Sequence, residues 1–347
     1  MKRLGFGLVL VVTFALSTAA APMLGVDSVT YDFGSVPQGT IVAHTFILTN
    51  LGDATLAISA TRASCGCTTT ALSKSSLAPG ESVSLDARVD TSEFGGAKIM
   101  KQIYIDSNDP ATPSAVVYIE GDVTQLPPYD TTLGDVKYLF YLLIDVRSAK
   151  DYASGHLIGA MNIPSADLPL WIGILPKDVI VILYDNTGQD SATQARYLES
   201  VGFSQAKSLA GGLAGWSLVP SAASDDVGTL PQLAAPAPAA LQSFEIANGD
   251  LRSIYLILVD LRTPEAYANR GGHFMGAVNI PSSELSGWSD KLPKDVTIVL
   301  YDQTGEESDR QAQALQAAGL AKVQSLAGGL DAWVRSYGIT FLIAEPQ

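Results

Sequence analysis

Cysteine is almost absent from this chain. Of 347 residues two are cysteine, at positions 65 and 67, and three are histidine. A framework of several disulfides is excluded, and a tetrahedral zinc site would lack ligands. Basic residues are scarce as well: 21 Lys and Arg stand against 35 Asp and Glu, a net charge of −14, with no basic stripe anywhere. Nucleic acid and anionic membrane surfaces are held by a cationic footprint, so binding to neither is expected. An apolar run of the roughly 20 residues that a spanning helix needs is also missing; the stretch from Leu4 to Leu16 falls short.

Hydrophobic residues make up 47% of the chain, enough for real cores, and the length suggests two or three domains. Residues 1–20 have the form of a secretory leader. Lys2 and Arg3 precede the apolar stretch, and Ser17, Thr18 and three alanines offer a cleavage point after Ala19 or Ala20. An uncleaved anchor is the alternative, and no cysteine lies near for lipid attachment. The expected mature protein is periplasmic or secreted, soluble, and exposed to oxidising conditions.

From about residue 26 to 125 the pattern is all β. Val83, Leu85, Ala87 and Val89 alternate with polar residues, and Ile99, Ile103 and Ile105 do so more loosely. Turn residues at Pro79-Gly80, Gly95-Gly96, Asn108-Asp109-Pro110 and Gly121-Asp122 punctuate the stretch at the spacing of an immunoglobulin-like sandwich. Cys65-Gly66-Cys67 lies inside it. On a regular strand such residues sit about 6.5 to 7 Å apart, at the limit for a disulfide, so a bond requires Gly66 to bend the chain. The pair is open to four readings: a local structural disulfide, two half-buried thiols, a redox disulfide, or a two-thiolate site for Cu(I) or zinc, with His44 the one histidine nearby in sequence. Asp32-Phe33-Gly34, the Cys-Gly-Cys-Thr-Thr stretch, Leu77-Ala78-Pro79-Gly80-Glu81 and Ser107-Asn108-Asp109 resemble a bacterial exported family of unknown function. That family is similar to the MSP/hydin group of immunoglobulin-like domains. The resemblance implies a fold and no chemistry.

After a linker at about 122–133 the period changes, and an α/β unit appears twice. Val181 to Tyr184 form an apolar run, a polar loop follows, and Ser191 is placed to cap a helix running to about Val201. The same loop returns 117 residues later as Tyr301 to Ser308. Asp145-Val146-Arg147 is answered by Asp260-Leu261-Arg262, His156 by His273, and Ser208–Trp216 by Ser325–Trp333. An Ala/Pro-rich linker, 219–242, separates the copies. A strand that ends in a tight loop before a helix gathers backbone amides at the positive end of the helix dipole. Both copies place an aspartate there, Asp185 and Asp302.

These units resemble rhodanese domains. The resemblance rests on Asp-Val-Arg with Tyr152, on Gly155-His156-Leu157-Ile158-Gly159-Ala160 with Asn162-Ile163-Pro164, on the Tyr-x-x-x-Gly-x-x-Ser loop and on the Leu-Ala-Gly-Gly-Leu-x-x-Trp ending. It covers 129–218 and 244–337. It implies two five-stranded parallel sheets flanked by helices, with the active loop after the fourth strand. In active members of the family the loop opens on a cysteine that carries sulfur as a persulfide, flanked by arginines that bind thiosulfate. Position by position, that cysteine falls on Asp185 and Asp302, the first arginine on Asn186 and Gln303, and the second on Asp190 and Glu307. The candidate loop pockets are therefore Asn186, Thr187, Gly188, Gln189, Asp190 and Ser191 in one copy. In the other they are Gln303, Thr304, Gly305, Glu306, Glu307 and Ser308. A carboxylate cannot carry sulfane sulfur, and the acids repel a dianion, so no sulfurtransferase activity and no cofactor are expected. A carboxylate nucleophile lacks the lysine that such chemistry uses. Asp302, Glu306 and Glu307 could hold Ca²⁺, or form a solvated acidic loop. His156, His273 and the Asp145/Arg147 and Asp260/Arg262 pairs read as structural, the pairs holding the sheet edge. Trp171 and Trp288 read as core residues or as borders of the loop pockets. The expected function is recognition of a protein or small molecule outside the cytoplasm. The alternative is a sulfurtransferase-related, thiol-redox or metal-carrier protein centred on Cys65 and Cys67.

Overall fold

The computed structural model describes residues 20–217, 226–229, 231, 240–268 and 272–343. Nearly all of the leader, most of the 219–242 linker and the two-residue insertion at 269–271 lie outside the described residues.

Nine strands form the N-terminal sandwich: β1 (Leu24–Val26), β2 (Thr30–Pro37), β3 (Ile41–Asn50), β4 (Leu56–Ala63), β5 (Thr68–Leu72), β6 (Ser76–Leu77), β7 (Ser82–Asp90), β8 (Lys98–Ser107) and β9 (Ser114–Thr124). They make one sheet in the order β1-β3-β7-β5 and another in the order β2-β9-β8-β4-β6. Neighbours run antiparallel, as in Thr68↔Val89 and Ile103↔Val117. The alternation seen in the sequence is the alternation of burial. Val83, Leu85, Ala87 and Val89 point inward, with Phe46, Leu48, Ile103 and Ile105 also in the core. Each large apolar side chain buried this way contributes roughly 1.5–3 kcal/mol.

The first α/β repeat contains β10 (Asp130–Thr131), α1 (Leu133–Leu139), β11 (Tyr141–Asp145), α2 (Ala149–Ser154), β12 (Gly155–Leu157), β13 (Ala160–Asn162), α3 (Leu168–Trp171), β14 (Ile180–Tyr184), α4 (Gln189–Ser200), β15 (Ala206–Leu209) and α5 (Gly212–Trp216). A short strand β16 (Asp226–Gly228), inside the stretch read as linker, pairs antiparallel with β12. The second repeat contains β17 (Glu245–Ile246), α6 (Asn248–Ser253), β18 (Leu256–Asp260), α7 (Pro264–Tyr267), β19 (His273–Phe274), β20 (Val278–Asn279), β21 (Thr297–Tyr301), α8 (Glu306–Ala317), β22 (Val323–Leu326), α9 (Gly329–Tyr337) and β23 (Leu342–Ile343). A 3₁₀ turn, Leu285–Trp288, stands where α3 stands in the first copy.

Each repeat has a five-stranded parallel sheet, as the resemblance implies, but not from its own residues alone. The orders are β13-β11-β14-β15-β17 and β20-β18-β21-β22-β10. Thus β10, which opens the first repeat, pairs with β22 of the second (Asp130↔Ser325), and β17, which opens the second, pairs with β15 of the first (Ser208↔Glu245). The following helices go with their strands. Leu133 and Val136 of α1 enter a cluster with Phe274, Leu326 and Trp333, while Leu251 of α6 enters one with Leu209, Leu213 and Trp216. Short connections explain this reciprocal exchange. One residue, Phe140, separates α1 from β11, and two separate α6 from β18, at or below the usual 2–6. Hinges this short favour exchange of the preceding element between repeats. Phe140 stacks on Phe341 at 4.5 Å, and the equivalent Tyr255 donates its hydroxyl to the Ile158 carbonyl at 2.7 Å.

Candidate functional site

Each loop follows the central strand of its sheet, where the carboxyl ends of parallel strands leave a crevice. Gly188 begins α4 at φ +84°, and Gly305 begins α8 at φ +94°. A Cβ on Gly212 would lie 2.4 Å from the Asp185 carbonyl, and one on Gly329 2.7 Å from that of Asp302. The Gly-Gly turn that follows the next strand therefore packs directly on the loop, and only glycine allows the approach.

Neither Gly188 nor Gly305 offers a capping side chain, and Ser191 is not the cap that its position suggested. It lies within the first turn of α4, where its hydroxyl meets that of Ser208 at 2.8 Å; Ser308 and Ser325 repeat the contact. The cap comes from the loop's aspartate. Asp185, 8% exposed, accepts Thr187 N at 2.8 Å, Asp190 N at 2.7 Å, Ser191 N at 3.4 Å and a short bond from Gly188 N, spread over both carboxylate oxygens. Asp302 is half-buried and lopsided. Its Oδ1 accepts Gly305 N at 2.9 Å, Ser308 N at 3.2 Å and the Ser308 hydroxyl at 2.9 Å. Its Oδ2 has only Thr304, at 3.4 and 3.5 Å. In both loops the amides that would hold an external anion are occupied by an internal one.

An ion pair frames each loop. Arg147 bonds Asp145 through Nε at 2.9 Å and Nη2 at 2.6 Å, donates to the Gly155 carbonyl at 2.8 Å, and reaches Asn186 Oδ1 at 3.2 Å. Arg262 makes the same set with Asp260, Gly272 and Gln303. The pairs were expected at a sheet edge. They sit instead at the ends of β11 and β18, interior strands, because the guanidinium has to span from strand to loop. Their charge is consumed locally and does not present a cation to the pocket. Asn162 and Asn279 tie the same corner by donating to the carbonyls of Asp145 and Arg147, and of Asp260 and Arg262.

The remaining candidates scatter. Thr187, Gln189, Thr304 and Glu306 are exposed. Asp190 accepts the Ser165 hydroxyl, and Glu307 binds Arg310 and Gln311. The acids of the second loop do not converge, and among the described residues no group of three or more His, Cys, Asp or Glu is arranged to hold a metal ion. His156 and His273 stack on Tyr152 and Tyr267 at 3.7 and 3.6 Å, with Nδ1 on the carbonyls of those tyrosines. Burial pushes His156 below the ordinary imidazole value and pushes Tyr152 up to about 12. These are structural roles. Trp171 and Trp288 pack against the cores. His44 stacks on Tyr31 at 3.8 Å within the sandwich.

Cys65 and Cys67 are joined in a disulfide with Cα atoms 5.2 Å apart, in a turn between β4 and β5. The turn, rather than a regular strand, supplies the closeness. Sequence reasoning missed the buried serine pairs and the Gly-Gly contact. Their signal was the internal repetition of Ser-Leu-Ala-Gly-Gly in both copies.

Comparison with known proteins matches residues 129–218 and 245–336 to the rhodanese-like domain and residues 24–123 to a protein family of unknown function, DUF1573. The chain is similar to the uncharacterized protein YqhL of Bacillus subtilis, 37% identical over 76 residues, which cover 22% of this chain and 59% of that protein. Among solved structures it is similar to the Rhodanese_3-like domain of the Alr3790 protein from Anabaena sp. (30% identity, 23% of this chain, 94% of that one, TM-score 0.23). It is also similar to a PapD-like domain of human CEP192 (10% identity, 35% of this chain, all of that one, TM-score 0.25).

Proposed function

This chain belongs to the rhodanese-like family, and we propose that both of its copies are recognition modules that do not transfer sulfur. The observation that carries the reading is the Asp185 carboxylate, which accepts four amides of its own loop. A thiosulfate would have to displace that carboxylate from its amides, and an Asp offers no thiolate to take the sulfur. The polar groups left at the surface, Thr187 and Gln189 in one loop and Gln303 and Thr304 in the other, suit a protein or small-molecule partner rather than an inorganic dianion. The leader-like start at residues 1–20 supports export, and hence a partner in the periplasm or outside the cell. Thiosulfate and cyanide should give no thiocyanate above background. Turnover that persists in the Cys65→Ser/Cys67→Ser variant overturns the reading. Pull-downs with Thr187→Arg and Thr304→Arg should lose the partner captured by the unaltered chain, whereas capture unchanged in both excludes the loops as its binding surface.

A further inference from the structure

The disulfide between Cys65 and Cys67 closes a loop of three residues. A loop this short constrains the unfolded chain less than any bridge between distant elements. It also ties no second element to the sandwich, since β4 already pairs with β8 from Ile58 to Ala63 and β5 with β7 along its whole length. The bond is therefore weakly accounted for as a staple. Three further features suit it to exchange. Both cysteines are half-exposed, and Gly66 between them is exposed with nothing within 4 Å of where its Cβ would stand, so the turn that carries the bond faces open space at Gly66. The buried Thr68 places its hydroxyl 3.5 Å from Cys65 Sγ and 3.7 Å from Cys67 Sγ, one donor for either sulfur as it leaves with negative charge. And the bond lies in a turn rather than in the strands, so parting the two sulfurs breaks no ladder hydrogen bond.

We propose that Cys65–Cys67 is a thiol–disulfide exchange centre that takes two electrons from an external dithiol. A thiolate of the donor attacks one Sγ and the Cys65–Cys67 bond breaks. A mixed disulfide forms, and the other cysteine leaves as a thiolate that accepts the Thr68 hydroxyl. The donor's second thiolate then attacks the mixed disulfide on the donor's own sulfur, releasing the first cysteine. The donor ends as a disulfide, and Cys65 and Cys67 end as thiols carrying the two protons.

The test uses the full chain in graded mixtures of reduced and oxidised glutathione, quenched with acid. Thiols are counted by the mass shift of a maleimide label, and circular dichroism follows the fold. The expected result is reversible appearance of two thiols with an unchanged spectrum. Thr68→Val should slow reduction by roughly tenfold, the effect of losing one hydrogen bond to a charged sulfur, while Thr68→Ser keeps the rate. No thiols in excess reduced glutathione, or thiols that appear only as the β spectrum is lost, overturn the proposal. If Thr68→Val does not fold, the titration of the unaltered chain decides the exchange, and Thr68→Ser at a slowed rate refutes the role of the hydroxyl. None of these readings depends on the rhodanese loops.

Discussion

The two loops share one backbone and differ in how far each aspartate is engaged. Asp185 is buried and uses both oxygens on backbone amides, whereas Asp302 is more open and leaves Oδ2 nearly unengaged. The reason lies in the third donor. In the first copy the hydroxyls of Ser191 and Ser208 bond to each other, and Asp185 receives only the Ser191 amide. In the second, Ser308 gives its hydroxyl to Asp302 Oδ1, while Ser325 turns to Asp309. One changed neighbour, Asp309 where the first copy has Ala192, redistributes the network. Equal folds do not make equal sites, because a hydroxyl can serve only one acceptor at a time.

The frame around the loops should not show that asymmetry, and its removal has the largest expected effect. Arg147→Ala and Arg262→Ala each leave a fully buried aspartate without its partner, a loss of about 3–5 kcal/mol. The two variants should lower the urea midpoint by similar amounts; a markedly smaller loss for Arg262→Ala would mean that the copies differ in frame as well as in loop. The loops come next. Asp185→Ala strands several buried amides and should cost about 2–3 kcal/mol, while Asp302→Ala resembles the loss of an ordinary helix cap at about 1 kcal/mol. Equal costs in thermal or urea unfolding would remove the distinction drawn between the two sites.

A pH-dependent effect separates the exchanged strands. Asp130 on β10 lies beside Asp309, has a buried Oδ1 with no hydrogen-bond partner, and is pushed up to about 7 by burial and by the neighbouring charge. Its counterpart Glu245 on β17 faces the copy that has Ala192, and accepts Gln242 N at 2.8 Å. For a carboxyl raised in the folded state, the native protein binds more protons than the unfolded one between about pH 4 and pH 7, so stability falls as pH rises through that window. Asp130→Asn should therefore raise the melting temperature at pH 8 and leave it unchanged at pH 4. A shift of Asp130→Asn that is equal at both pH values would sink the linkage to Asp309.

Much of this molecule is legible in the order of its amino acids. The period-two pattern at Val83 to Val89 has one stable solution, a half-buried strand in a sandwich. The unbroken apolar runs ending at Asp145 and Tyr184 have another, a strand covered on both faces. The acids at 185 and 302 are readable as occupants of their own anion cradles, since their place before a helix follows from the run and the loop glycine. Less legible is the true helix start, because a remote aspartate, rather than the local serine, satisfies the first amides. The Cys65–Cys67 bond stays open on spacing alone, which does not say whether Gly66 bends.

The sequence by itself determined the all-β and α/β division, the duplication and the chemistry available at each loop. These depend on side-chain type and period, which are local. Only the tertiary structure decided which sheet each opening strand completes. An edge strand is joined by backbone hydrogen bonds that either copy can supply, and the choice falls to the one- and two-residue connections at Phe140 and at Ile254-Tyr255. These carry each helix across to the neighbouring repeat.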